Sequence, residues 1–397
     1  MRQRPIWRRG RCSLRLSSVR YFLLSFAISA ASTLWIVHLA KTRPGRMLDD
    51  NFSQPQKIHT VPVPRVGGVG IVLGLLVSMS LYGWTMGAEA SRIAFGLLAC
   101  AVPAFAAGLA HDITDTFTPR GRLAATAFSA VLAYFVVGTA LRQVDIPGLD
   151  QIAAHPAGAL FFTVLAVAGI ANAVNIIDGL NGLASMCVIL MLAALAYVGF
   201  AVGDSLVGTL ALAGIGAVLG FFLWNFPAGL IFLGDGGAYF LGFYVAQVAL
   251  LLLVRNDEVS PLFPLLVCIY PVFETLFSAY RRYWLRASPP SLPDGIHLHS
   301  LVYRRLMRWA VGDRSAKAMA RRNSMSSPYL WLLCSASIAP AVLFWNNTNV
   351  LASFLLLFSA SYVLLYRRIV RFKSPRWLRL GQRPTAPGAL RDDNPPT

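Results

Sequence analysis

The sequence predicts an all-α, polytopic integral membrane protein with about 11 transmembrane helices. Of its 397 residues, 56% are hydrophobic and only 13% are charged, which is far more apolar than a soluble domain. Runs of about 18 or more mostly apolar residues, long enough to cross a bilayer as helices, recur along the chain. A soluble protein with a single core is therefore excluded, and a lipid bilayer is the predicted surrounding of the chain.

The apolar runs define the predicted helices and divide the chain into three parts. The first run is longer than the apolar region of a signal peptide, and KTRPGR follows it instead of a small-residue cleavage site, so it is expected to remain as a helix. A basic segment (1–19) precedes the helical domain (20–366), and a basic, proline-rich tail (367–397) that is predicted to be disordered follows it. The predicted helices span about 20–40, 66–86, 93–110, 123–141, 158–174, 183–202, 206–224, 238–254, 261–280, 328–345 and 349–366.

The distribution of charge predicts the orientation of these helices. The chain has 35 Lys and Arg against 17 Asp and Glu, and basic residues of membrane proteins collect in cytoplasmic loops. If the loop after the first helix is cytoplasmic, the loops and tail on that side hold 25 Lys and Arg, whereas the opposite loops hold three, Arg92, Arg142 and Arg255. The seven Arg of the first 20 residues do not follow this rule. The predicted cytoplasmic loops are about 41–65, 111–122, 172–182, 225–237 and 281–327.

Charge and cysteine content argue against a nucleic-acid partner, a disulfide framework and a zinc site. Membrane loops account for the net charge of +18, so no nucleic-acid partner is predicted. The five cysteines lie far apart without a CxxC spacing, which argues against a disulfide framework and against a zinc site. Function is therefore expected in the polar residues at helix ends, which are expensive to bury in a membrane and cluster in the predicted cytoplasmic loops.

The first two of these loops offer phosphate contacts and a carboxylate. In QKIHTVPVPRVGGVGI, Lys57 and Arg65 precede glycines at a helix start, where bare amides bind phosphate well, although a basic loop with a Pro and Gly turn has the same composition. In GLAHDITDTFTPRGRL, His111 and Asp112 directly follow an apolar helix. Asp112 is either a functional carboxylate or only a helix cap.

The third loop carries four polar residues in register. NAVNIIDGLNGLAS places Asn172, Asn175, Asp178 and Asn181 at steps of three, which brings them to nearly one face of a helical end. An apolar helix has no structural need for such a row. The pattern therefore favours a binding site.

The fourth and fifth loops add a further carboxylate and two histidines. In WNFPAGLIFLGDGGAYFLG, Asp235 lies among glycines before an apolar helix, where it can hold a divalent cation while amides such as that of Gly236 contact a diphosphate. A simple N-cap is the alternative. In DGIHLHSLVYRRL, the spacing of His297 and His299 suits phosphate or carboxylate contacts better than a zinc pair, and solvated loop histidines are the alternative.

The order of these motifs resembles that of the polyprenyl-phosphate N-acetylhexosamine-1-phosphate transferases. The resemblance covers about residues 57–299 and rests on PVPRVGG, His111-Asp112, NAVNIIDGLNGLA, NFPAGLIFLGDGG and HLH. It implies a multi-pass protein of the bacterial inner membrane with its active site at the cytoplasmic surface. The implied reaction transfers an N-acetylaminosugar 1-phosphate from a UDP-N-acetylaminosugar to a polyprenyl (undecaprenyl) phosphate, releases UMP and uses Mg²⁺, or Mn²⁺ as a substitute.

The resemblance also implies roles for individual residues. Asp235 matches the family's magnesium-binding aspartate, and Asp178 is a second ligand or its organiser. Phe232 matches a position near the nucleotide, where its ring would stack on uracil, and Asp112 would accept a proton from the lipid phosphate or only position it. Motifs and resemblance together assign catalytic roles to Asp112, Asp178, His297 and His299. The predicted metal ligands are Asp235 and Asp178. The predicted substrate contacts are Lys57, Arg65, Asn172, Asn175, Asn181, Asn225, Phe232 and Gly236.

Departures from the family pattern narrow the prediction. The usual Asp-Asp pair is His111-Asp112, the second aspartate of DGxDG is Asn181, and GDTGS is GDGGA. PVPRVGG and HLHS replace the TPTMGG-like motif and the triple histidine of the peptidoglycan branch, which favours the branch that starts O-antigen and related polysaccharides. Two alternatives remain open. One is a catalytically degenerate scaffold of the same family, and the other is a transporter, whose polar groups would be expected near the bilayer midplane.

Overall fold

The apolar runs fold into long helices, and the prediction of an all-α polytopic protein is confirmed. The computed structural model describes residues 7–42, 48–49, 63–286, 296–306 and 316–371. A two-residue antiparallel pairing joins β1 (Leu48–Asp49) to β2 (Val63–Pro64). π-helical turns follow the eleventh and twelfth helices at Arg281–Arg286 and Val302–Leu306. In chain order the helices are α1 (Trp7–Thr42), α2 (Gly67–Met86), α3 (Ala88–Thr114), α4 (Pro119–Val136), α5 (Leu149–Ala153), α6 (Pro156–Ile177), α7 (Leu183–Ala201), α8 (Ser205–Asn225), α9 (Gly234–Arg255), α10 (Leu262–Val267), α11 (Ile269–Tyr280), α12 (Leu298–Leu301), α13 (Ala316–Leu343) and α14 (Thr348–Val370).

Nine helices within the described ranges are long and apolar enough to cross a membrane, namely α1 to α3, α6 to α9, α13 and α14. The predicted spans at 123–141 and 261–280 are also helical, the first as α4 and the second as α10 followed by α11. α10 ends at Val267 because Pro271 has no N–H for the carbonyl four residues earlier, and its ring crowds that carbonyl. The chain is thus a multi-pass membrane protein. Most of the predicted tail, residues 372–397, lies outside the described residues.

Small residues bring α1 against α8. Gly220 of α8 lies so close to α1 that a Cβ built on it would be 2.6 Å from the carbonyl oxygen of Phe26. Ser25 and Ser29 of α1 donate hydrogen bonds to carbonyl oxygens of α8 at 2.8 and 2.6 Å. Close backbone approach and hydrogen bonds between helices hold helices together in lipid, where burial of apolar surface between them gains little. This packing fixes α8, whose last residue belongs to the predicted site.

Replacing Gly220 by Ala is expected to lower the stability of the protein, because the new Cβ would meet the backbone of α1. Overpacking of this kind costs about 1–3 kcal/mol. Gly169→Ala in α6 is the matched control, since nothing lies within 4 Å of its Cβ position and Ala favours a helix more than Gly does. Thermal unfolding in one detergent should give a lower midpoint for Gly220→Ala and an unchanged or higher midpoint for Gly169→Ala. Equal midpoints would contradict the close packing.

The predicted functional loops meet where glycines let three helices approach one another. A Cβ on Gly68 of α2 would lie 2.4 Å from Cα of Gly237 in α9, and one on Gly108 of α3 would lie 2.6 Å from Cα of Gly236. Just before α9, the amide of Phe232 donates a hydrogen bond to a carbonyl oxygen of β2 at 2.9 Å. The starts of α2 and α9 and the end of α3 are thereby fixed side by side.

Candidate active site

Asp112, a carboxylate in the last turn of α3, caps the start of α9. Its Oδ1 accepts a hydrogen bond from the backbone amide of Asp235 and its Oδ2 accepts one from the amide of Gly236, both at 2.9 Å. The guanidinium of Arg65 lies 3.9 Å from Oδ1, and only 1% of the Asp112 side chain is exposed. A negative charge at a helix N-terminus is favourable, so this contact stabilises the start of α9. The base role of Asp112 and the substrate contact of Gly236 stay predictions.

Asp235, the predicted metal ligand, lies in the first turn of α9 among side chains of three other helices. Its Oδ1 accepts a hydrogen bond from Nδ2 of Asn175 in α6 at 3.0 Å. Its Oδ2 forms an ion pair with Arg122 of α4 and lies 3.9 Å from Nε2 of His111 in α3. The carboxylate is therefore held from several sides, with its second oxygen facing cationic or ionisable groups.

Arg122 is a site residue that the sequence analysis missed. It lies in the first turn of α4 and is buried. Its guanidinium carbon is 6.0 Å from the ring centre of Tyr239, whose hydroxyl donates a hydrogen bond to Oδ1 of Asn172 at 3.4 Å. The sequence signal is an Arg beside an apolar run, which the charge rule for cytoplasmic loops explains equally well. Only the contact with Asp235 distinguishes it.

Asp178 follows the last turn of α6 and joins the same group of charges. It interacts electrostatically with Asp112, Arg65 and His299. Burial raises the pKa of Asp178 to about 7, against the opposing influence of Arg65 and His299. Burial thus favours the neutral form of this carboxyl group, and a bound cation would replace its proton.

The turn after α6 is braced from two sides. Oδ1 of Asn225 accepts a hydrogen bond from the amide of Gly182 at 2.7 Å, and its Nδ2 donates one to the loop before α9 at 2.8 Å. Two side chains of α13 contact the backbone of Asn181. Asn323 accepts a hydrogen bond from the Asn181 amide at 2.8 Å, and Ser327 donates one to the Asn181 carbonyl at 2.6 Å. Asn181 and Asn225 are both buried. The structure therefore gives them bracing contacts, and their contacts with substrate stay predictions.

Of the two predicted histidines, His299 lies against the turn that carries Asp178, and His297 stacks on His299. The rings of His297 and His299 stack with 5.3 Å between centres and 8° between planes. Nδ1 of His299 lies 2.8 Å from Oε1 of Glu274 in α11, and the His299 amide donates a hydrogen bond to the same oxygen at 3.3 Å. Nε2 of His299 would lie 2.9 Å from a Cβ built on Gly179.

Glu274 is the second residue that the sequence analysis missed. It is an acidic residue within the predicted span 261–280, and such residues are rare and usually functional because burying them in a membrane is costly. An acid inside a predicted span was therefore the sequence signal that could have identified Glu274 as a site residue. Of the other predicted contacts, Arg65 and Phe232 lie beside the start of α9, and Lys57 lies outside the described residues.

The carboxylates suit a magnesium ion that is shared with a substrate. Among the residues described, no group of three or more His, Cys, Asp and Glu is arranged to hold a metal ion. Mg²⁺, however, usually binds through one or two carboxylates, waters and substrate phosphates. Two such carboxylates are supplied by Asp235 and Asp178. The second oxygen of Asp235 already pairs with a guanidinium, and the pKa of Asp178 is raised by burial. These donors fit a magnesium ion that also binds a diphosphate.

The chain is similar to known transferases. Residues 94–253 match glycosyl transferase family 4. The "probable undecaprenyl-phosphate N-acetylglucosaminyl 1-phosphate transferase" of Bacillus subtilis is 28% identical over 295 residues, which cover 74% of this chain and 79% of the relative. The "undecaprenyl-phosphate alpha-N-acetylglucosaminyl 1-phosphate transferase" of Thermotoga maritima is 31% identical over 255 residues, with 64% and 72% covered. A "phospho-N-acetylmuramoyl-pentapeptide-transferase" of Clostridium botulinum is 30% identical over 260 residues, with 64% and 78% covered.

The matched region contains three of the carboxylates of the site. Asp112, Asp178 and Asp235 lie within residues 94–253, whereas the histidine segment follows it. The resemblance that the sequence motifs indicate is confirmed by these relatives, including the branch other than the peptidoglycan enzymes.

Proposed function

The chain belongs to glycosyl transferase family 4, and we propose that it transfers N-acetylglucosamine 1-phosphate from UDP-N-acetylglucosamine to undecaprenyl phosphate, releasing UMP. The names of the relatives from Bacillus subtilis and Thermotoga maritima support this sugar and this lipid. The product would start a lipid-linked cell-surface polysaccharide. We place the protein in the bacterial inner membrane with the site on the cytoplasmic side, which the split of 25 to three basic residues between the two sets of loops supports.

One observation carries the proposal. Asp112, Asp178 and Asp235 come from parts of the chain that are far apart, yet they meet at one end of the bundle together with Arg65 and Arg122. Transfer of a sugar phosphate to a lipid phosphate brings two anions together, so catalysis requires charge screening and alignment. Paired carboxylates and arginines at one membrane surface supply both.

The protein's own side chains would divide the work between binding and alignment. Arg65, Arg122 and the histidines would bind phosphate oxygens, since guanidinium and imidazolium groups form charge-assisted hydrogen bonds with them. Asn175 holds the Asp235 carboxylate through a hydrogen bond of 3.0 Å. When bound by Asp235 and Asp178, Mg²⁺ would neutralise charge on the UDP diphosphate, and Mn²⁺ would substitute for it.

We assign Asp112 a positioning role ahead of a base role. Both of its carboxylate oxygens already accept hydrogen bonds from the start of α9. A lipid phosphate also needs little help to lose its proton, because the second pKa of a phosphomonoester is about 6. Asp112 would therefore act by holding the α9 turn that presents Asp235.

The location of the three aspartates disfavours the transporter alternative, because Asp112, Asp178 and Asp235 lie at helix ends, whereas the polar groups of a transporter are expected near the bilayer midplane. The scaffold alternative is tested by turnover. In the presence of Mg²⁺, purified protein in detergent should convert UDP-[¹⁴C]N-acetylglucosamine and undecaprenyl phosphate to labelled lipid and UMP. EDTA should stop the reaction. UDP as the nucleotide product would indicate ordinary glycosyl transfer. No labelled lipid from any UDP-N-acetylaminosugar would favour the scaffold.

A further inference from the structure

Glu274 is a buried acid to which the reaction outlined above assigns no part. It lies in α11, and none of its side chain is exposed. Buried acids in membrane proteins are retained where they pair with another group or serve function. The carboxylate of Glu274 faces His299, a predicted catalytic residue at the other side of the loop after α11.

Two hydrogen bonds from His299 reach the same oxygen of Glu274. The backbone amide donates to Oε1 at 3.3 Å, and Nδ1 of the ring lies 2.8 Å from it. Because Oε1 already accepts the backbone N–H, it acts as an acceptor, and Nδ1 carries the proton of the second bond. A histidine held in this way by a carboxylate is fixed in both rotation and tautomer.

The opposite edge of the ring faces the functional end of the bundle. Nε2 would lie 2.9 Å from a Cβ on Gly179, so a larger residue at that position would displace the ring. Asp178 precedes this glycine and interacts electrostatically with His299. The ring of His297 stacks in parallel with that of His299 and supports the orientation.

We infer that Glu274 is a positioning residue, which holds His299 through Nδ1 and directs Nε2 to the turn of Asp178 and Gly179, where Nε2 contacts a substrate phosphate. The identity of the ligand rests on the proposed function, whereas the pairing of Glu274 with His299 does not. Because Glu274 holds Nδ1, Nε2 is the ring nitrogen that faces the phosphate, and phosphate oxygens accept hydrogen bonds from ring N–H groups.

A double-mutant cycle tests whether Glu274 acts through His299. Glu274→Gln and His299→Gln should each lower kcat for UDP-N-acetylglucosamine by about 10 to 100-fold, the range known for groups that orient a metal-binding histidine. The double variant should be no slower than the slower single variant, because Glu274 acts only through the ring that the second substitution removes. Glu258→Gln, which removes an exposed glutamate in a loop, is the control and should leave kcat unchanged. Effects that multiply in the double variant would overturn the inference.

The tautomer of His299 is measured without any turnover. The chain has six histidines, so ¹⁵N NMR of histidine-labelled protein is tractable, and His299→Gln identifies the signal. The unliganded wild type should show a protonated Nδ1, and Glu274→Asp, which keeps a carboxylate, should retain more of this state than Glu274→Gln. An Nδ1 without a proton in the wild type would overturn the inference, even if every variant at Glu274 failed to fold. A protonated Nδ1 in a protein that releases no UMP would instead contradict only the proposed function.

Discussion

Asp112→Asn is expected to reduce transfer by about a hundredfold or more and also to destabilise the protein. An asparagine has one acceptor oxygen, so its NH₂ group would face one of the two backbone amides that Asp112 now accepts at 2.9 Å. Leaving a buried donor without an acceptor costs about 1–3 kcal/mol. The start of α9 would become less well ordered, and the Asp235 carboxylate would no longer be held in position.

The test of Asp112→Asn combines a rate and a melting temperature. Asp115→Asn is the matched control, since this aspartate lies three residues further on and its side chain is 82% exposed. The control should keep both values, whereas Asp112→Asn should lower both. A variant that loses transfer at unchanged stability would support a base role for Asp112 in place of the cap.

Asp235→Asn is expected to reduce transfer by about a hundredfold or more, the scale for loss of a well-placed electrostatic group. Its Oδ1 can still accept the hydrogen bond from Asn175, but the change removes a carboxylate ligand and leaves the buried Arg122 without its ion-pair partner. Extra Mg²⁺ should recover little of the rate.

The double variant Asp235→Asn with Arg122→Gln separates the two effects. It removes both charges of the pair, so its thermal stability should exceed that of Asp235→Asn alone, while transfer should stay low. Near-normal transfer by Asp235→Asn would show that the metal is held elsewhere, with Asp178 and Asp112 as the better candidates.

Sequence patterns predict the helices of this protein well, because length and apolarity determine which segments span a membrane. Sequence patterns do not predict where a proline interrupts a helix or where a helix begins. The predicted span 261–280 is broken because Pro271 removes a donor and crowds a carbonyl, and an apolar run does not reveal where the chain resumes its helix. The predicted span at 123–141 begins earlier, at Pro119, so that Arg122 lies inside a helix and not in a loop.

The functional carboxylates were predictable from their positions at helix ends, but their partners were not. Asp235 pairs with Asn175, 60 residues away, and its amide is capped by Asp112, 123 residues away. Local sequence near Asp235 suggests that the α9 amides are open to a ligand, whereas two of them are occupied by a side chain from another helix. Contacts of this kind join distant segments, so no residue spacing in the sequence predicts them.

The packing of α1 on α8 has a consequence for how the protein is made. The hydroxyl of Ser25 donates a hydrogen bond to a carbonyl oxygen of α8 whose residue is 188 positions further along the chain. At 5–20 residues per second, roughly 10–40 s of synthesis separate the two helices. During that time the hydroxyls of α1 must be satisfied within their own helix, as Ser32 is by the carbonyl of Ile28 at 2.7 Å. A nascent chain that ends before α8 therefore keeps the Ser25 hydroxyl on a carbonyl of its own helix, that of Phe22 at 3.0 Å, and the bond to α8 forms only after α8 is made.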